Sequence, residues 1–264
     1  MPNAKVNGQE LFFEDSGGDG PAVLFSHGYM MDRTMFDQQV EALAGEFRCI
    51  RWDERGFGRT EDDGKPFTYW DSADDAVGLL DHLGIDAAVF AGMSQGGYLS
   101  LRAALAHPER VRALVLMDSG SGVDDAETLA GYQGLEDGWT SPATPDADRE
   151  ALADIIAGII IGDPEVAAPW KAAWLADPRD STLQAFATLI GREDITDRLG
   201  EIGCPALVVH GDADAAISLE RGQQLRDGLA DCRGLVTVEG GPHASNMTHA
   251  AAVNAPVLEF LRSL

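Results

Sequence analysis

Short apolar runs alternate along this chain with longer stretches of helical periodicity. The runs at 10–14, 21–26, 47–52, 87–92, 111–117, 205–210 and 234–239 read as strands. Several are apolar without a break, as at Val115-Leu116 and Val208-Val209, which is what strands covered on both faces require. Between them, Ala73, Ala76, Leu80 and Leu83 fall at helical spacing over 71–83, and Tyr98, Leu101 and Leu105 share a face over 95–106. Ala250, Val253, Val257 and Leu261 repeat the pattern over 246–262, where Pro256 is expected to kink or restart the helix. The alternation predicts an α/β fold, a mostly parallel central sheet flanked by helices.

One region breaks the rhythm. From about 121 to 197 no strand pattern appears. The region opens with a Gly/Asp/Ser-rich loop, continues through Ser141–Pro145, and then shows helical pieces over 147–161, 164–176 and 180–190. It holds Trp139, Trp170 and Trp174, three of the five tryptophans. The expectation is a helical cap at 121–197, inserted between the strands at 111–117 and 205–210, with 1–120 and 198–264 forming the core. No internal repeat marks a solenoid.

Composition narrows the function classes. Nineteen basic residues against 44 acidic ones give a net charge of −25, a surface that repels nucleic acid phosphates and anionic lipid. It suits an ordinary soluble protein and would also suit high salt. No apolar run approaches the roughly 18–20 residues that cross a bilayer, and the start of the chain does not read as a signal peptide. Three cysteines, Cys49, Cys204 and Cys232, stand without framework or zinc spacing, which favours a reducing compartment and a cytoplasmic location. No phosphate-binding G-x-x-x-x-G-K-[ST] loop or dinucleotide fingerprint is present. No metal and no cofactor are expected.

The chemistry gathers at Gly92-Met93-Ser94-Gln95-Gly96, which follows the apolar run at 87–90 and opens a helix. A sharp strand-to-helix turn lifts a serine hydroxyl above the sheet edge, and glycine on each side leaves room where a Cβ would clash. The helix start then presents free N–H groups and a positive dipole end to developing negative charge. A plain helix-capping serine is the bland alternative, but this setting favours a nucleophile.

With these residues the chain resembles the α/β-hydrolase superfamily over nearly its whole length. It is most similar to small bacterial arylesterases, non-haem haloperoxidase or perhydrolase-type enzymes, and enol-lactonases. Phe25-Ser26-His27-Gly28-Tyr29 resembles the family's oxyanion loop, Asp53-Glu54-Arg55-Gly56-Phe57-Gly58 its Asp-x-Arg-Gly-x-Gly turn, and His107-Pro108-Glu109-Arg110-Val111 its entry to the sixth strand. The resemblance places the cap between the sixth and seventh strands. It implies a triad in the chain order serine, acid, histidine. Gly240-Gly241-Pro242-His243 resembles the catalytic histidine loop and selects His243 over His249. The family's Gly-x-x-Asp selects Asp214, in Gly211-Asp212-Ala213-Asp214, with Asp118 and Asp212 as alternatives. The backbone N–H groups of Gln95 and Tyr29 are the expected oxyanion donors, and His27 is expected to brace their loop.

The implied activity is hydrolysis of a carboxylic ester or lactone, small to medium and partly hydrophobic, through an acyl-enzyme. Met30, Trp139, Trp170 and Trp174 are expected to line the substrate site. C–C bond hydrolysis or perhydrolysis on the same triad is an alternative, although perhydrolases usually carry Met where Gln95 stands. A non-catalytic small-molecule receptor is the alternative of another class. Serine at 94 argues against relatives with a carboxylate nucleophile. The expected partner is the small-molecule substrate alone, with no nucleic acid or membrane and with a homodimer left open.

Overall fold

A computed structural model of the protein describes residues 3–264. The core elements run β1 (Asn3–Val6), β2 (Gln9–Asp15), β3 (Ala22–Ser26), α1 (Asp37–Leu43), β4 (Arg48–Trp52), α2 (Tyr69–Leu83), β5 (Ala88–Met93), α3 (Gln95–Ala106) and β6 (Val111–Met117). Four helices follow: α4 (Ala126–Thr140), α5 (Asp146–Ile160), α6 (Pro164–Ala176) and α7 (Leu183–Ile190). The chain then returns to the sheet through β7 (Ala206–Gly211), α8 (Leu219–Gly228), β8 (Cys232–Val238), α9 (Ser245–Thr248) and α10 (Ala250–Arg262).

The sheet has eight strands in the order β1-β2-β4-β3-β5-β6-β7-β8. β1 and β2 pair antiparallel, as do β2 and β4, and every later pair is parallel. Successive side chains on a strand point to opposite faces, and here both faces are covered. Leu24, Phe90, Leu114 and Val208 pack with Leu80 and Leu101 of α2 and α3. Val23, Val89, Val115 and Val209 pack on the other side with Leu43 and Val257 of α1 and α10. That double covering is why these runs are apolar at every position.

Three local features depart from the sequence expectation. β1 was not foreseen: it is four residues long, and only Ala4 and Val6 turn inward, too little to make an apolar run. α4 was read as loop because Gly131, Gly134 and Gly138 interrupt it. Its start is nevertheless defined, since Asp125 caps it by accepting Thr128 N at 2.8 Å. Pro256 lies inside α10 without ending it; the break falls earlier, at His249, between α9 and α10.

The tightest backbone approach in the core lies between β3, β5 and the start of α3. A Cβ on Gly92 would sit 2.1 Å from Gly96 O, and one on Gly96 would sit 1.9 Å from Ser26 O. By contrast a Cβ on Gly134, exposed on α4, would meet nothing within 4 Å. Gly96→Ala is therefore expected to destabilise the protein by about 3 kcal/mol or more through overpacking against backbone. Gly134→Ala should stabilise it by about 0.5–1 kcal/mol through helix propensity. Urea unfolding of both variants checks the pair; a Gly96→Ala protein as stable as the parent would contradict the geometry.

Candidate active site

Ser94 occupies the turn from β5 to α3 with φ +52° and ψ −116°, a left-handed conformation that non-glycine residues avoid and that surrounding structure must hold. Its N–H donates to Met117 O at 3.0 Å. Its carbonyl accepts from Gly97 N at 2.9 Å and from Ser119 Oγ at 2.8 Å. The hydroxyl is thereby set above the sheet edge at the N-terminus of α3. Gln95 and Tyr29, the expected oxyanion donors, flank it, and among the described residues neither N–H donates to a backbone carbonyl. The Tyr29 loop is braced from the core. His27 Nδ1 donates to Gly28 O at 2.8 Å, His27 Nε2 accepts from Glu54 N at 3.0 Å, and Gly96 N donates to His27 O at 3.1 Å. Burial holds the fully enclosed His27 below the ordinary histidine range, so it serves this loop as a neutral ring.

The loop after β7 carries Asp214 and the loop after β8 carries His243, and parallel pairing of these strands brings the loops together. His243 Nδ1 donates to Asp214 Oδ2 at 2.8 Å. Asp214 Oδ1 accepts from Ala216 N and Ile217 N, each at 2.8 Å. Burial alone would raise this carboxyl, but the charge of His243 and hydrogen bonds from His210, His243 and Ile217 hold it well below the usual carboxylate range. The other candidate acids are engaged elsewhere. Asp212 accepts Gly240 N at 2.7 Å in a turn. Asp118, buried and at φ +46°, accepts Gly211 N at 2.7 Å and Ser245 Oγ at 2.6 Å, so it ties β6 to β7 and to α9.

Ser94 and His243 face one pocket. Gly28, Tyr29, Met30 and Met93 supply its core side, and Leu135, Ile156, Ile160 and Phe186 of the inserted helices supply the opposite wall. Met30 lines this pocket, but Trp139, Trp170 and Trp174 are not brought to Ser94. They line a separate cavity on the far side of residues 30–34, next to Arg33 and Arg59. Trp139 is buried with the Arg149 guanidinium 4.2 Å above its ring. Trp174 is buried and donates from Nε1 to Met30 O at 2.5 Å.

Three titratable side chains near the site were given no role in the sequence reading. Glu136 on α4 lines the Ser94 pocket and accepts from Tyr29 OH at 3.0 Å. Its only signal was a position in a stretch that did not look helical. Glu54 is fully buried beneath the oxyanion loop and accepts from Gln95 Nε2 at 3.1 Å; burial pushes its carboxyl well above the ordinary range. His210, on β7, donates to Ile217 O at 2.8 Å and lies 3.4 Å from Asp214 Oδ2. Asp118, His210 and Asp214 place ligand-type atoms within 4.8 Å of one another. Their carboxylate oxygens, however, already face N–H and O–H donors, which makes the group a hydrogen-bonded charge network.

The family model described as alpha/beta hydrolase fold matches residues 21–250. The chain belongs to the alpha/beta hydrolase fold family. It is 27% identical to a 3-oxoadipate enol-lactonase from Acinetobacter baylyi, over 90% of this chain and 88% of that one. Among solved structures it resembles a thermophilic esterase from Thermogutta terrifontis, with a TM-score of 0.87, 28% identity, and coverage of 99% and 97% of the two chains. It also resembles the enol-lactonase from Burkholderia xenovorans LB400, with a TM-score of 0.87, 27% identity, and coverage of 99% and 100%. The protein is a hydrolase of this family, with the eight-stranded sheet and flanking helices that the fold implies. Among the described residues no helix is long and apolar enough to cross a membrane.

The buried carboxyl of Asp118 gives this hydrolase a testable pH signature. Burial pushes it up to about 6 from an ordinary 3.8. A folded-state value above the unfolded one means that the group's contribution is fully present below about pH 4 and is lost as pH rises through about 6. The loss amounts to at most about 3 kcal/mol at 1.36 kcal/mol per unit. Asp118→Asn should therefore flatten the fall in unfolding free energy between pH 4 and 7. Parallel pH profiles for variant and parent would show that Asp118 is already ionised in the folded state at low pH.

Proposed function

We propose that this hydrolase cleaves a carboxylic ester or lactone through an acyl-enzyme on Ser94. The observation that carries the reading is the 2.8 Å His243–Asp214 hydrogen bond facing the same pocket as a serine held in a left-handed elbow. Asp214 fixes the imidazole with its proton on Nδ1, which leaves Nε2 free to act as a base. Ser94 Oγ adds to the carbonyl carbon as His243 Nε2 takes the hydroxyl proton. The N–H groups of Gln95 and Tyr29 hold the oxygen that becomes negative. His243 then gives the proton to the leaving alkoxide. Water adds to the acyl carbon with His243 taking its proton, and Ser94 departs with that proton as the carboxylic acid is released.

The pocket supports an uncharged, partly hydrophobic acyl group of small to medium size. Its walls are largely Ile, Leu, Met, Phe and Tyr side chains, the surface that such ligands bury. No Lys or Arg is among its lining residues; of its two carboxylic acids, Asp124 is paired with Arg192 at 2.7 Å and Glu136 accepts from two hydroxyls. A substrate carrying its own carboxylate would find no Lys or Arg among the lining residues to receive it, Arg192 behind them being already engaged by Asp124. The whole chain adds to this with a net charge of −25.

Two experiments test these statements. Ser94→Ala should lose turnover on the order of 10⁶-fold, and Asp214→Asn roughly 10⁴-fold, while Asp118→Asn should lose far less. Fluorophosphonate labelling should require Ser94. A Ser94→Ala protein that still hydrolyses esters at near-normal rates would sink the mechanism. Separately, p-nitrophenyl butyrate should be cleaved with a kcat/KM at least about tenfold above that of the p-nitrophenyl monoester of glutarate, and added salt should narrow the gap. Equal or reversed preference at low salt would refute the charge argument.

A further inference from the structure

The oxyanion loop is held from two sides. Residues 27 and 28 are fixed by the core, through His27 O to Gly96 N and Gly28 N to Met35 Sδ at 3.3 Å. Residues 29 and 30 are fixed by the inserted helices. Tyr29 OH donates to Glu136 Oε2 on α4 at 3.0 Å, and Thr182, at the start of α7, donates from Oγ1 to Glu136 Oε1 at 2.9 Å. Trp174 of α6 donates from Nε1 to Met30 O at 2.5 Å. Met30 itself stands at φ +60°, a conformation that a β-carbon disfavours and that neighbouring contacts must hold. The backbone N–H of Tyr29 therefore sits at the seam, between a core-anchored half-loop and a half-loop anchored by α4 and α6.

We infer that Glu136 and Trp174 are positioning residues: the inserted helices set the second oxyanion donor of this hydrolase, so that they govern the rate of the chemical step as well as covering the substrate. The inference rests on the acyl-enzyme reading above. Both groups are buried; Glu136 lines the Ser94 pocket, and Trp174 does not reach it. Glu136 accepts two hydroxyl donors from different elements, which makes it a clamp between the loop, α4 and α7. Trp174 fixes the carbonyl of the one left-handed residue in the loop. A donor displaced by about 1 Å costs on the order of 10²-fold, and loss of a donor 10²–10³-fold, in the transition state alone.

The test uses the full chain with p-nitrophenyl butyrate, an alkyl boronic acid and the matching carboxamide. The boronic acid becomes tetrahedral on Ser94 and places an oxygen in the oxyanion site. The carboxamide stays trigonal and reports pocket binding. For Trp174→Phe and Glu136→Ala, kcat should fall about 10–100-fold. KM and the carboxamide inhibition constant should stay within about threefold, and the boronate inhibition constant should rise in step with the loss of kcat. Glu136→Gln, which keeps one acceptor oxygen, should recover most of the rate. Tyr29→Phe removes one hydroxyl with little risk to folding and should show the same split; it decides the matter where the other variants fail to fold. The inference is overturned if these variants keep the parent kcat and boronate affinity, or if boronate and carboxamide affinity fall together, as a collapsed pocket would produce. Failure of the parent to label with fluorophosphonate would instead overturn the acyl-enzyme reading on which the inference stands.

Discussion

Around Ser94 the backbone of β5, β3 and α3 converges to distances that tolerate no side chain. Gly96 lies against Ser26 O, Gly92 against Gly96 O, and Gly97 against Ser119 Oγ. This convergence does two things at once. It holds the serine between the glycines in a left-handed turn, and it draws the Tyr29 loop onto the same turn through Gly96 N and His27 O. The serine proposed as nucleophile and the loop proposed to supply an oxyanion donor thus depend on one packing constraint. The cost of the strained serine is carried by the hydrogen bond that its N–H donates to β6 and the one that its carbonyl accepts from Ser119, as is usual for strained turns held by a rigid scaffold.

The electrostatics follow a second division. Surface acids give the molecule its charge, whereas Asp53, Glu54, Asp75, Asp118 and Glu136 are buried, where burial raises all five carboxyls. Asp214 is the exception near the pocket, held low by His243, His210 and two backbone N–H groups despite its burial. Neighbouring carboxyls with opposed environments are the pattern expected where one must stay ionised to orient a base and the others serve structure. The contrast between Asp214 and Asp118, both near His210, comes from their partners: Asp118 has one N–H and one hydroxyl donor, while Asp214 has two N–H groups and two imidazoles.

How much of this was legible in the sequence depended on the range of the interactions. Strands covered on both faces announced themselves as unbroken apolar runs, while edge strand β1 did not. The glycine-serine-glycine turn was legible because its cause is local. The Asp214–His243 pair spans 29 residues, and no spacing rule connects them; only the family resemblance did. The inserted helices were the least legible. Glycines hid α4, and with it Glu136, whose partner Tyr29 lies 107 residues away. The tryptophans drew attention as pocket lining because large aromatic rings suit ligands, but the same rings suit a buried seam between helices and loop, and that is where Trp139 and Trp174 lie.

The position of the tryptophans points to how labour is divided within the insertion. Its apolar residues, Leu135, Ile156, Ile160 and Phe186, face the pocket, and such side chains impose shape but little direction on a ligand. Its polar-tipped residues, Glu136, Thr182 and Trp174, face the oxyanion loop or one another, where hydrogen bonds do impose direction. A wall of apolar side chains can be repacked with volume-conserving changes at small energetic cost, so the shape of the pocket can drift readily. The hydrogen-bonded seam has no such freedom, because loss of either partner leaves a buried polar group unsatisfied. On the proposed reading, the side chains that would shape substrate range and those that would set oxyanion geometry therefore sit side by side on the same four helices, and the first set can be repacked without breaking the hydrogen bonds of the second.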